Sequence, residues 1–290
     1  MKKWKKIIIN KSNRITKINK IKNFKYFCEE DSENYGNIDA GYDSNRYYQN
    51  KELFFEFYLE GKFLIWDKYL KKNLHPNTKI LSIASGRGIN ELSLISNNFN
   101  ITCSDIEIPK CYEKSKKLFG NFNYINFNIL TDTINEEFDS IYAISVFYIF
   151  SYSELEKIFY KINKILKKDG IFILDLGGSE YNLISFFFHE IYLVIEAYII
   201  YYLSKLLNKK IGLKVDNNFG YRRTNREVIK LANQFGFELI DLNEYDYLNE
   251  LKRSILITKI IKFFPFSKNF FIFFGQKLPC IRMFKFKKTP

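Results

Sequence analysis

The chain has 290 residues, 47% of them hydrophobic, and 45 Lys and Arg stand against 32 Asp and Glu, a formal charge of +13. That length and apolar content exclude a disordered chain and allow one large domain, or one domain with an insertion. The charge alone assigns no partner, because Lys, Ile, Asn, Phe and Tyr dominate and all five use A/T-rich codons; only local clustering would point to nucleic acid or an anionic membrane.

Residues 1–30 read as a lysine-rich, mobile arm available to an anionic surface. Their apolar run spans only residues 7–9, too short for the core of a secretory signal. Cys28, Cys103, Cys111 and Cys280 form no CxxC pair, and only His75 and His189 could assist them, so a structural zinc site is not expected. Scattered cysteines and no signal suggest a reduced, cytoplasmic setting, with peripheral contact to the inner membrane face as an option.

Residues 31–75 read as an N-terminal loop and helical cap. The loop "YGNIDAGYDSNRYY" (35–48) is polar and aromatic, and residues 51–71 fit an amphipathic helix with a break at Gly61. From residue 76 to 290 the pattern changes. Strands are predicted at "KILSIA" (79–84), "NITCSD" (100–105), "FNYINF" (122–127), "FDSIYAISVF" (138–147) and "GIFILDL" (170–176). Helices are predicted between them at residues 88–96, 110–119 and 153–168. This alternation implies right-handed βαβ units, hence an α/β, doubly wound sheet covered on both faces. After the fifth strand comes an apolar insert (181–215). The alternation then resumes at "TNREVIKLANQFGFELIDL", with Thr224 as N-cap and Gly236 as the helix stop, and "NFFIFFGQK" (269–277) is predicted as the last strand.

Ligands of such sheets bind beyond the carboxyl ends of the strands, near the topological switch point. "ASGRG" lies there, after the first parallel strand. Ala84, Gly86 and Gly88 keep bulky side chains out of the crevice, and the next helix directs amide N–H groups at whatever binds. A dinucleotide site wants G-x-G-x-x-G, and here Glu91 follows in place of the third glycine.

Taken together these residues resemble the class I (Rossmann-like) S-adenosylmethionine-dependent methyltransferases. The family's acidic-x-Gly-x-Gly-x-Gly motif aligns with residues 82–88, with Ser82 at the acidic position and Ala84 at the first glycine. Ser82 can hydrogen-bond but brings no charge. The resemblance implies a mostly parallel seven-stranded sheet, S-adenosylmethionine as cofactor and no metal. It implies a cofactor site of Ser82, Ala84, Ser85, Gly86, Gly88, Asp105, Ile106, Asn128, Ile129 and Ser145. Asp105 would accept from both ribose hydroxyls, Ile106 and Ile129 would flank the adenine, and Asn128 would meet its amino group. Ser145 to Tyr148 would open towards the methyl-transfer centre. "INKILKKDGIFIL" is similar to the family's turn into the fifth strand, with Asp169 and Gly170 as the turn.

The acceptor is less marked. There is no "DPPY" or "NPPY" after the fourth strand and no Cys there, which argues against methylation of adenine amino groups and of pyrimidine C5. A small-molecule, glycan or lipid-linked acceptor methylated at oxygen is the leading reading. Alternatives are an NAD-dependent oxidoreductase on a similar fold, a degenerate non-catalytic scaffold and an RNA methyltransferase. Tyr148 and His189 are candidate catalytic groups, with Asp175, Tyr42, Arg46 and Tyr47 also in reach; none is assigned as the base.

Residues 184–207 within the insert are nearly long enough to cross a bilayer, but strands before and after them belong to one sheet, against a single crossing. Ser185, His189 and Glu196 fall on a narrow helical arc and leave a wide apolar face. Such a helix serves as a substrate lid, a membrane-interface helix or an oligomer contact; the basic arm and the tail "KLPCIRMFKFKK" suit an anionic membrane.

Overall fold

Residues 5–12, 48–177, 180, 182–207, 211–218, 221 and 223–289 are described by the computed structural model. The chain divides into two units, and each takes discontinuous stretches of sequence. The first, a sheet unit, comprises Glu29–Gly177, Arg226–Asn243 and Arg282–Pro290. The second, a helical unit, comprises Met1–Cys28, Gly178–Asn225 and Glu244–Ile281.

Seven strands build the sheet: β2 (Lys79–Ile83), β3 (Asn100–Asp105), β4 (Asn123–Asn126), β5 (Phe138–Ile144), β6 (Leu166–Asp175), β8 (Phe237–Tyr245) and β9 (Ile281–Lys288). Their order is β4-β3-β2-β5-β6-β9-β8. The β2–β3, β3–β4, β2–β5 and β5–β6 pairs are parallel, and β9 joins β6 antiparallel. Short apolar runs suit this arrangement, since parallel strands are covered on both faces and cannot alternate polar with apolar. Helix α3 (Ile89–Ile95) follows β2, α4 (Tyr112–Phe119) follows β3, α5 (Tyr152–Ile165) follows β5, and α8 (Asn225–Gln234) precedes β8. In α5, Ser151 caps the Glu154 N–H and Glu154 caps the Ser151 N–H, while Leu155, Ile158, Phe159, Ile162 and Ile165 form one buried stripe. That stripe packs on Phe172, Phe237, Phe284 and Phe286.

Before the sheet come two helices, α1 (Lys51–Tyr58) and α2 (Gly61–Asn73), with the chain broken between them ahead of Gly61. The Asn90 side-chain amide donates to the Phe63 carbonyl at 2.7 Å and ties α2 to α3. The Asp169–Gly170 turn is a bulge inside β6, where pairing with β5 shifts register and Asp169 takes φ +60.

Residues 269–277 are not a strand. They lie largely in helix α10 (Ser267–Gly275), and the seventh strand is β9. "NFFIFFG" carries no period of two. Phe270 and Phe274, four apart, bring their rings to 4.8 Å, the spacing of one helix face. Residues 5–12, read as part of a mobile arm, form strand β1 (Lys5–Ser12), parallel to β7 (Ile211–Asn218).

In the helical unit the long insert runs as α6 (Leu183–Phe186), a π-helical turn (Phe187–Tyr192) and α7 (Leu193–Leu206). The second stretch of this unit, residues 244–281, carries α9 (Ile255–Phe263) and α10. The unit therefore exceeds the expected insert of residues 181–215. Phe188, Leu251, Ile257 and Leu278 form its core, with Leu193, Ile261 and Phe271 against them. The arc of Ser185, His189 and Glu196 is the buried side of the helix, and the apolar side is exposed. His189 pairs with Glu250, and Glu196 accepts from the Ser254 hydroxyl and the Leu256 N–H at 2.9 and 2.6 Å.

Candidate functional site

In the sheet unit the chain moves from β2 outward to β3 and β4, then crosses to the other side of β2 to make β5. A crevice is expected at the carboxyl ends of the strands flanking such a reversal. A cleft of about 350 Å³ lies there, lined by residues 82–87 and 89–91, by Ile144 and Ser145, and by Phe63 and Trp66 of α2.

The turn beneath it is left-handed at alternate residues: Ala84 at φ +56, Gly86 at +53 and Gly88 at +71. Only glycine adopts this region without cost, which explains a Gly-x-Gly spacing and makes Ala84 a strained member. A Cβ added at Gly86 would meet nothing within 4 Å, so the backbone there faces open space.

Both sides of the Gly86 peptide environment are fixed. Its N–H donates to Asp105 Oδ2 at 2.8 Å, and the Tyr124 hydroxyl donates to its carbonyl at 2.7 Å. The Ser85 N–H donates to the Ser104 carbonyl at 2.8 Å, and its hydroxyl accepts from the Ser104 N–H at 3.1 Å. Asp105 therefore faces the turn. Its other oxygen accepts from the Ile106 N–H at 2.7 Å, and each oxygen keeps a lone pair for a further donor. Burial raises its pKa, against the two N–H bonds that lower it.

The position that lacks an acid is served from elsewhere. Ser82 donates its hydroxyl to Glu91 Oε1 at 2.6 Å, and the Tyr142 hydroxyl donates to the same atom at 2.9 Å. Glu91 is 5% exposed yet lines the cleft. Burial is the main cause of its raised pKa, opposed by the hydroxyl bonds. Glu91 thus brings a carboxylate to the floor of the site from the first turn of α3. Sequence reading took it only as a missing glycine; the one signal available was an acid within an otherwise buried helix, nine residues after a serine in an acidic position.

The other expected residues divide. Ile106 is 56% exposed beside Asp105, open to a flat apolar ligand. Ser145 lines the cleft at φ +55, and its hydroxyl and the Tyr148 ring crowd Gly177, leaving no room for a Cβ there. Asn128 uses its side-chain oxygen to accept from the Leu130 N–H at 3.0 Å, a local turn bond. Ile129 departs from the expectation: it is 5% exposed and packs in the sheet core, because the turn after β4 directs it inward. Asp175 is fully buried at the end of β6. It accepts from the Arg282 N–H at 3.1 Å and from the Gly177 N–H, and burial pushes its pKa up to about 6. It acts as a turn and strand tie. His189 belongs to the helical unit, where its Nε2 lies 3.2 Å from Glu250 and both are 1% exposed. Tyr42, Arg46 and Tyr47 lie outside the described residues.

Comparison with known structures places this architecture. The chain is similar to a mycolic acid cyclopropane synthase complexed with S-adenosylhomocysteine and CTAB (TM-score 0.54, 14% identity, 88% of this chain and 98% of that one). It is similar to the magnesium protoporphyrin IX methyltransferase of Synechocystis with bound S-adenosylhomocysteine (TM-score 0.53, 9% identity, 91% and 97% covered). A third is the 1,6-didemethyltoxoflavin N1-methyltransferase of Burkholderia thailandensis (TM-score 0.50, 12% identity, 82% and 86% covered). No family model and no curated protein matches the sequence. The fold is that of the class I S-adenosylmethionine-dependent methyltransferases, a seven-stranded mixed sheet with flanking helices and a helix after its fifth strand.

Proposed function

We propose that this chain transfers a methyl group from S-adenosylmethionine to oxygen on a small-molecule, glycan or lipid-linked acceptor. The observation that carries the reading is the clamped, left-handed turn at residues 84–88 between two carboxylates, Asp105 on one side and Glu91 below. Those residues suit an adenosyl group bearing an ammonium. Asp105 offers its remaining lone pairs to the ribose hydroxyls, exposed Ile106 offers an apolar surface to the base, and Glu91 balances the positive charge of the amino acid end. The open side of Gly86 lets the backbone approach closely.

The cofactor supplies a methyl on a sulfonium, lost to a nucleophile by in-line displacement, so the protein mainly aligns and desolvates. Ser145 and Tyr148, at the end of β5, are the groups beside which the acceptor would sit. The same fold serves a mycolic acid cyclopropane synthase and a protoporphyrin methyltransferase, so bulky apolar acceptors are within its range.

Thermal shift tests the cofactor. A ligand at about 100 times its Kd stabilises by about 2.7 kcal/mol, and S-adenosylhomocysteine should raise the Tm while NAD leaves it unchanged. Stabilisation by NAD alone would transfer the chain to the oxidoreductases. The acceptor is then sought by incubating methyl-labelled cofactor with lipid and aqueous extracts, with label expected in a product other than the cofactor, in the organic phase for a lipid-linked acceptor.

A further inference from the structure

Of the 25 large apolar side chains that are exposed among the described residues, 18 lie in two stretches of the helical unit, residues 183–207 and 255–274. That concentration is what scattered surface leucines do not show. In the second stretch the exposed set is aromatic and contiguous: Phe263, Phe264, Phe266, Phe270, Phe273 and Phe274. Pro265 ends α9 and the chain turns directly into α10, so the six rings sit at the bend and along the second helix.

Charge accompanies them. Residues 251–281 of the helical unit contain six Lys and Arg and no Asp or Glu. Lys259, Lys262, Lys268 and Lys277 are exposed within or beside α9 and α10. Here the clustering missing from bulk composition is present.

The first stretch joins the second within the unit. Glu196 of α7 holds the amino end of α9 through Ser254 and Leu256, and Tyr192 lies 3.2 Å from the Ser254 hydroxyl. The polar arc of the long helix is consumed in this internal contact, and its outer face is apolar. An inward polar stripe and an outward apolar one reverse the order of a water-soluble helix.

We infer that the outer face of this helical unit docks on the surface of an anionic lipid bilayer, with the aromatic α9–α10 bend in the interface. It does not span. Nine-residue helices reach about 14 Å against a hydrocarbon core of about 30 Å. The 21 residues Leu183–Leu203 are long enough, but β6 before them and β8 after them share one sheet. Phenylalanines between lysines are the composition of an interfacial anchor, where rings enter the acyl boundary and ammonium groups meet lipid phosphates. A second copy of this chain would bring the same uncompensated lysines against their like, which favours lipid over self-association.

Vesicle flotation tests the inference on the unliganded full chain, independently of the cofactor reading. Binding to phosphatidylglycerol-containing vesicles is expected, with much weaker binding to pure phosphatidylcholine and release in high salt. Combining Lys259→Gln, Lys262→Gln and Lys268→Gln should lower the partition coefficient roughly a hundredfold. Phe266→Ser with Phe273→Ser should abolish flotation; both side chains are exposed, so an unchanged circular dichroism melt will certify the fold. Failure of the wild type to float with anionic vesicles overturns the inference. So does a stable dimer in sedimentation that Phe266→Ser dissociates without any vesicle effect, or polyuridylate binding with no lipid binding.

Discussion

Glu91 accepts two hydroxyl hydrogen bonds on one oxygen, and burial holds its pKa above the ordinary carboxylate range. A cationic ligand requires its ionised form, so binding should release a proton and tighten as the pH rises through that shifted pKa. Glu91→Gln keeps the acceptor but removes the charge. Calorimetry should then give S-adenosylhomocysteine affinity weakened by about 2 kcal/mol, with the pH dependence gone. The same variant without ligand should melt higher than wild type at neutral pH, since a buried charge is costly. Equal affinity in both proteins would remove Glu91 from the site. Asp175 offers a second titration. Its folded pKa of about 6 lies above the ordinary value of about 3.9, so the folded state retains a proton that the unfolded chain has released. The resulting stabilisation is complete below about pH 4 and is lost as the pH climbs through 6. Asp175→Asn should therefore stabilise the protein by up to about 3 kcal/mol at pH 8 and by little at pH 4, read by urea unfolding at both.

At the scale of elements, strand ends and turns fix the site more than helices do. Gly177 follows β6 at φ +70, and a Cβ there would stand 3.0 Å from Ser145 Oγ and 3.1 Å from the Tyr148 ring. Gly177→Ala should cost about 2 kcal/mol in denaturant unfolding and disturb whatever Ser145 and Tyr148 hold. An unchanged midpoint would show that the turn yields easily. The same elements explain what could be read from the chain alone. Short runs of apolar and small residues, "KILSI" and "NITCSD", ending in small or acidic groups located β2, β3 and Asp105 closely, because a strand buried on both faces admits few charged side chains. "NFFIFFGQK" misled because continuous apolarity is common to buried strands and to helices with an apolar outer face, and only tertiary context separates them. Glu91 was illegible for a related reason: its carboxylate reaches Ser82 through the geometry of a helix's first turn, which spacing along a strand motif does not encode. Ile129 shows the converse, a motif position whose side chain the local turn sends into the core.

On the scale of the whole molecule, the sheet unit is assembled from three separate stretches, and the helical unit occupies what lies between and before them. Neither is a contiguous piece that can be cut out. A chain ending at Asn243 lacks β9, which lies between β6 and β8 and supplies Phe284 and Phe286 to the core. Such a chain should show no cooperative thermal transition and no stabilisation by S-adenosylhomocysteine. A sharp melt would mean that the first five strands and their helices suffice.

The placement of β9 also bears on how the molecule is made. It follows the other six strands of the sheet in the sequence, yet it occupies an interior slot, with the rings of Phe172 and Phe286 stacked 6.2 Å apart. Until residues 281–288 have left the ribosome, β6 and β8 have a gap between them and the aromatic wall of the gap faces water. The sheet thus closes only after β9 has emerged, and a nascent polypeptide with so sticky an opening is a natural client for a chaperone.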